Sequence, residues 1–151
     1  MRWFICILAS VAMSCTPISH DGPGGHWPYL PVKMRIHPVS HVTANGNSQQ
    51  LALHIEFLDK DGCPTRSTGV LKVACWEPGQ AHMERTIDLG DQETNNHVFN
   101  RATRTYEVIM DLPPEPRVNS IRVDLSLHNG KISLSATGVV TAAQPGPVLA
   151  P

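Results

Sequence analysis

Hydrophobic and polar positions alternate along this chain in short runs, and the clearest run is Asn119 to Gly138, NSIRVDLSLHNGKISLSATG. At its centre Asn129-Gly130 is the favoured dipeptide of a two-residue type I′ turn, because both central residues of that turn need positive φ. Such a turn sets His128 against Lys131. Counting back, it sets Leu127 against Ile132, Leu125 against Leu134 and Val123 against Ala136. Arg122, Asp124, Ser126, Ser133, Ser135 and Thr137 then share the opposite, wet face. A slip of one residue would turn every apolar side chain outward, so alternation and turn chemistry select the same faces.

The same pattern recurs upstream. Strands Val32 to Val42 and Gln50 to Leu58 flank Asn45-Gly46, a second type I′ signal. That turn places Met34 opposite Phe57 and Ile36 opposite Ile55, with Arg35 opposite Glu56 and His37 opposite His54 on the other side. Pro38 has no N–H for the ladder, which predicts an edge strand broken at that point. From Gly69 to Trp76, alternation buries Leu71, Val73 and Cys75 and turns Trp76 outward. Pro78-Gly79 leads into a strand from Met83 to Leu89, and a bulged connection is what sets Cys75 against Met83 and Leu71 against Ile87. Arg85 then stays on the inward side of an edge. A strand from Thr105 to Leu112 buries Tyr106, Val108, Met110 and Leu112, exposes Thr105 and Glu107, and stops at the prolines beginning with Pro113. Between the last two strands, Gly90 to Arg104 is polar, with room for a single helical turn and with Val98 and Phe99 tucked beneath the strands. About seven short strands without a helix of ordinary length predict an all-β fold, a two-sheet antiparallel β-sandwich of immunoglobulin-like or transthyretin-like kind.

Composition adds the chain's ends and its surroundings. Met1 to Ser14 holds one basic residue and an apolar run from Trp3 to Met13 that is too short to span a bilayer, which reads as a signal peptide. Ala12-Met13-Ser14-Cys15 resembles the lipobox of bacterial lipoproteins, and the resemblance implies lipidation of Cys15 and attachment to a membrane through that lipid. An ordinary signal peptidase would accept Ala12-x-Ser14 and cut the same bond, giving a secreted product. Residues 15–31, rich in Pro and Gly, follow as a tether, residues 32–140 as the sandwich and residues 141–151 as a loose tail. With a net charge of −1 and 17% charged residues, nothing calls for nucleic acid as a partner. Cys63 and Cys75 would lie at opposite ends of a straight strand, roughly 20 Å apart at about 3.3 Å per residue, so no disulfide is predicted between them.

Signatures of chemistry are sparse. The chain has no G-x-S-x-G elbow, H-E-x-x-H helix, phosphate-cradling Gly-rich loop or C-x-x-C pair, so neither an enzyme nor a cofactor is predicted. Asp59-Lys60-Asp61-Gly62 looks like the start of a calcium loop, yet the position that needs a bidentate Glu is Val70, and a plain turn fits better. Asp91, Glu93 and Asn95 offer oxygen ligands, set against the reading of a solvated loop. The sharpest candidate is His37, His54 and Glu56, two imidazoles and a carboxylate that the predicted register puts on one exposed face and that suit zinc or copper. An ordinary solvated sheet face is the competing reading.

The pattern LHIEFLDKDGCPTRSTGVLKV, then a strand ending Ile87-Asp88-Leu89, then RTYEVIMDLP, resembles short lipid-anchored proteins of planctomycete-type bacteria and extracellular modules in which strand, D-x-x-G-x-P turn and strand recur. The resemblance covers residues 32–138 and implies a fold and an envelope location, with no functional residue attached. Two function classes follow. One is a non-catalytic envelope lipoprotein or secreted module that binds another protein or a surface polymer through loops or an open edge strand. The alternative is a metal-binding lipoprotein that uses the histidine face.

Overall fold

A computed structural model describes residues 30–45, 48–76, 83–113 and 120–142. The signal segment, Cys15 and all but the end of the tether lie outside these residues, as do Gly46, the Pro78-Gly79 connection, Pro114, Pro116 and the tail from residue 143. In chain order the elements are β1 (Lys33–Ile36), β2 (His41–Asn45), β3 (Ser48–Leu58), β4 (Pro64–Thr65), β5 (Val70–Trp76), β6 (Met83–Asp88), α1 (Gln92–Val98), β7 (Phe99–Asn100), β8 (Thr105–Leu112), β9 (Ser120–His128) and β10 (Ser133–Thr141). They make a two-sheet antiparallel sandwich. Sheet A is centred on β3 in the order β1-β3-β8-β7, with β2 and β4 also paired to β3. Sheet B runs β10-β9-β5-β6. Every strand predicted by alternation is present; the first is divided into β1 and β2, and the dipeptides β4 and β7 are additional.

The division falls at Pro38. β1 keeps the predicted register, Met34 with Phe57, Arg35 with Glu56 and Ile36 with Ile55. β2 pairs Asn45 with Ser48 and His41 with Ala52, which is out of step with β1 by two residues. Two departures from the predicted hairpin therefore cancel. It closes one residue further along than an Asn45-Gly46 turn would require, and the elbow at 37–40 absorbs the surplus. His37 N donates to His54 O at 2.7 Å, and Ser40 N closes the turn onto His37 O at 3.0 Å. The Ser40 hydroxyl then serves both backbone groups of His54, accepting from its N–H at 2.9 Å and donating to its carbonyl at 3.2 Å. A side chain thus supplies what the proline interrupts, and the ladder of β3 keeps its partners.

The β9–β10 hairpin corrects the predicted register. His128 pairs with Ser133, not Lys131, and Leu127 faces Leu134 across a four-residue connection, not a two-residue turn. Asn129 organises it. Its Oδ1 accepts from the backbone N–H of Lys131 at 3.1 Å and of Ile132 at 2.9 Å. Its own N–H reaches Ile132 O at 3.2 Å. The Asn side chain holds a wider loop by local hydrogen bonding, as Asx turns do. Because the change is two residues, parity survives: Val123, Leu125 and Leu127 are buried, and the Ser and Thr positions of β10 stay outside. The strand also runs past the predicted end at Val140, and Ala142 bridges to Val42 of the other sheet.

β5 and β6 pair as predicted, Cys75 with Met83 and Leu71 with Ile87. Arg85 lies at this edge, and its Nη1 donates to the carbonyl of Ile109 on β8 at 2.5 Å, tying the edge of sheet B to that of sheet A. The connection after β6 is a seven-residue helix, α1, longer than the single turn predicted. Asp91 is its N-cap and accepts from Thr94 N at 2.8 Å. One core fills the space between the sheets, with Leu51, Leu53, Ile55, Phe57, Tyr106 and Val108 from sheet A meeting Leu71, Val73, Ile121, Val123 and Leu127 from sheet B. Val98 and Phe99 pack against its end.

Candidate functional site

The outer face of sheet B is a four-strand surface, and the strand pairings lay its side chains out in rows. One row holds Val139, Arg122 and Trp76. The next holds Thr137, Asp124, Ala74 and Glu84, and the one after it Ser135, Ser126, Lys72 and Thr86. Trp76 is 45% exposed and Val139 65%, and no described element covers either. Asp124 is the centre of the arrangement. Its Oδ1 accepts from the Thr137 hydroxyl at 2.8 Å and from Arg122 Nε at 3.2 Å, and Trp76 stands beside Arg122 in the neighbouring row. The Thr137 hydroxyl, helped by Arg122 and Trp76, holds the Asp124 carboxyl below its ordinary pKa. An ionised carboxylate with two donors already on one oxygen is neither a general base nor a metal ligand in waiting. It holds a guanidinium in place at the surface beside a flat indole.

The outward turn of Trp76 and the shared wet face of Arg122, Asp124 and Thr137 follow from alternation. Their convergence does not. The two-residue turn would have set Asp124 against Ser135, and nothing local tells that β9 lies between β5 and β10.

The predicted metal set comes apart. His54 and Glu56 are buried, at 8% and 5% exposure, and do not lie on an exposed face. β3 is the central strand, and Arg35 from one neighbour and Thr105 from the other meet its outer positions. Arg35 Nε occupies Glu56 Oε2 at 2.5 Å. His54 Nδ1 is 3.0 Å from the Thr105 hydroxyl, which in turn meets Thr103 at 2.7 Å. Thr105, predicted to be exposed, is fully buried there. The ring Nδ1 of His37 accepts from Val39 N at 3.4 Å. Among the described residues no three His, Cys, Asp or Glu side chains come together to hold a metal ion. Burial lowers the His54 pKa; Glu107 opposes that shift, and His37 and His41 add to it.

The other oxygen clusters are structural. Asp59 Oδ1 accepts from Asp61 N and Cys63 N, both at 2.9 Å, and so builds its own turn. Asp91 caps α1, whereas Asn95 points inward. The Asn95 amide donates to Ser67 O at 2.7 Å and Leu89 O at 2.6 Å, and its oxygen accepts from Arg66 Nη2 at 2.6 Å and from the Tyr106 hydroxyl at 3.0 Å. Every polar atom of that amide is used, which makes it a fastening between the sheets. Cys63 is exposed, Cys75 is buried beside Met110, and they are not bridged.

A second surface feature is a cleft of about 470 Å³ between β1 and β10, lined by Arg35, His37 and Ser40 on one side and Ser135, Thr137 and Gly138 on the other. Ile36 closes its floor against Gly138, where a Cβ would come within 2.9 Å of Ile36 Cδ1.

No protein-family model, no curated protein and no solved structure matches the chain. The residues themselves are what a functional reading has to stand on.

Proposed function

We propose that the chain is a non-catalytic binding module of the cell envelope, carried outside the cytoplasm by its N-terminal signal and held at the membrane by a lipid on Cys15, in the manner of the short lipid-anchored proteins it resembles. It binds another protein or a surface polymer, and the outer face of sheet B is the surface it uses. The observation that carries this reading is the group of Trp76, Arg122 and Thr137 around the Asp124 carboxylate, on a face that no described element covers. Most large apolar side chains of a domain this size lie in its core, and an exposed aromatic beside a hydrogen-bonded guanidinium is the usual anchor of a recognition site. An open edge strand remains the weaker surface, because Arg85 occupies the carbonyl of Ile109 at one edge of the sandwich and Ala142 bridges to Val42 at the other.

The test has two arms. Incorporation of a labelled fatty acid is expected in the native chain and lost in Cys15→Ser; a native chain that leaves the cell unlabelled defeats the anchor. Cross-linked envelope material recovered with the native chain is expected to fall away with Trp76→Ala. Equal recovery from both chains would move the binding surface elsewhere.

A further inference from the structure

Exposed aromatics differ in what they recognise according to their surroundings, and those of Trp76 are unusual in three ways. The first is fixation. Arg122 Nε and the Thr137 hydroxyl both end on Asp124 Oδ1, and the guanidinium so held is the register neighbour of the indole. Side chains ordered in the free protein lose less entropy when a ligand arrives. The guanidinium keeps further N–H donors for a ligand, since Asp124 takes only its Nε.

The second is charge. Arg122 and Lys72 on this face are set among Asp124, Glu84 and Asp88, with the signs interleaved along the rows. A surface so close to balance steers neither a polyanion nor a polycation. The third is the spread of apolar area. Among the described residues, the large exposed apolar side chains of the face are Trp76, Val139 and Val70. Val70 is at the far end of β5, roughly 20 Å from Trp76 at about 3.3 Å per residue. Rows holding Thr137, Ser126, Ser135 and Thr86 lie between Val70 and the row of Trp76 and Val139, and within that row the charged Arg122 stands between the two apolar side chains. A protein partner needs a contiguous apolar centre surrounded by a polar rim, and here, among the described residues, the charged Arg122 parts the indole from Val139 and rows of charged and hydroxyl side chains follow.

Building on the reading that this face is the binding surface, we infer that it takes a neutral polysaccharide, with the C–H face of one sugar ring laid on the Trp76 indole. Arg122 and the Ser and Thr hydroxyls of β9 and β10 serve the hydroxyls of that ring and its neighbours. A sugar ring matches all three features. It presents an apolar face of about the size of an indole, it bears no charge, and its rim is made of groups that both donate and accept. A hydroxyl on the protein also donates and accepts, so rows of Ser and Thr tolerate sugars in more than one orientation.

Affinity electrophoresis of the purified full-length chain through gels containing xyloglucan, galactomannan or mixed-linkage β-glucan, with alginate as the charged comparison, tests the inference. Retardation by at least one neutral polymer is expected, with affinity at least about tenfold weaker in Trp76→Ala, the loss typical of a truncated aromatic anchor. Arg122→Ala should weaken retention without changing the thermal midpoint, and it keeps the question open to test if the Trp76 variant is poorly folded. No retardation in any neutral polymer, or retardation in alginate alone, overturns the inference. Equal retardation of native chain and both variants overturns it as well. Capture of an envelope protein through Trp76, with no retardation in any gel, would sink the polysaccharide while leaving the binding-module reading in place.

Discussion

His54 shows at the level of one residue how position in a sheet outweighs residue type. By alternation it belongs to a wet face. On the central strand, however, its ring is closed in by neighbours, meets Thr105, and is 8% exposed. Burial lowers its pKa from 6.5, with Glu107 pulling back and His37 and His41 pushing further. In the unfolded chain the imidazole is freely solvated and takes up its proton at higher pH than in the fold. Stability from this residue is therefore complete above about pH 6.5 and declines as the pH falls through that value toward the folded pKa. Urea unfolding at pH 7.5 and at pH 5.5 should show the native chain losing stability on acidification, and His54→Gln losing less. Identical pH dependence in both would remove this account of the residue. Asn95 makes the same point without a charge: its spacing from Asp91 and Glu93 suits an oxygen ligand or a solvated loop, and the fold turns it inward as a hydrogen-bonded fastening.

Among the elements, the β9–β10 hairpin and the start of β5 depend on each other. Gly69 has φ +118, and a Cβ there would come within 2.6 Å of both Asn129 Cβ and His128 O. The loop that Asn129 organises therefore lies directly on bare backbone. Gly69→Ala is expected to cost at least about 2 kcal/mol in chemical unfolding, because it adds a backbone clash to an unfavourable dihedral. Gly130 offers the contrast. Its φ is +80 but nothing lies within 4 Å of an added Cβ. Gly130→Ala should cost only about 1 kcal/mol, the strain of the left-handed backbone. Reversal of that order would mean that the loop does not rest where it is described. The elbow at Pro38 belongs to this scale too. The proline foretold a break, but the Ser40 hydroxyl that repairs the ladder of β3 emerges only once both strands are in place.

For the whole molecule, the two described cysteines report on the sandwich. Cys63 is exposed in the turn after β3, and Cys75 is fully buried in the core against Met110. Alkylation of the native chain, read by mass spectrometry of its peptides, should modify Cys63 within minutes. Modification of Cys75 should follow the rate of global opening and rise steeply with denaturant. Rapid native labelling of Cys75 would contradict the packing of sheet A on sheet B. The same packing leaves no described element over the outer side of sheet B, which is why the Trp76 surface is a property of the molecule and not of any one strand.

Local pattern by itself determined which segments are strands, which side chains of each point inward, and where proline breaks a ladder. Those follow from the two-residue period of a strand and from dihedral preferences acting over a few residues. The pairing of β1 with β3 and of β5 with β6 was legible for that reason. Tertiary structure alone decided that β3 is central, so that His54 and Glu56 are closed over, and that β9 lies between β5 and β10, so that Arg122 and Thr137 reach one carboxylate beside Trp76. Strand order is set by contacts between segments far apart in the chain, and no spacing of residues within a single strand encodes its neighbours.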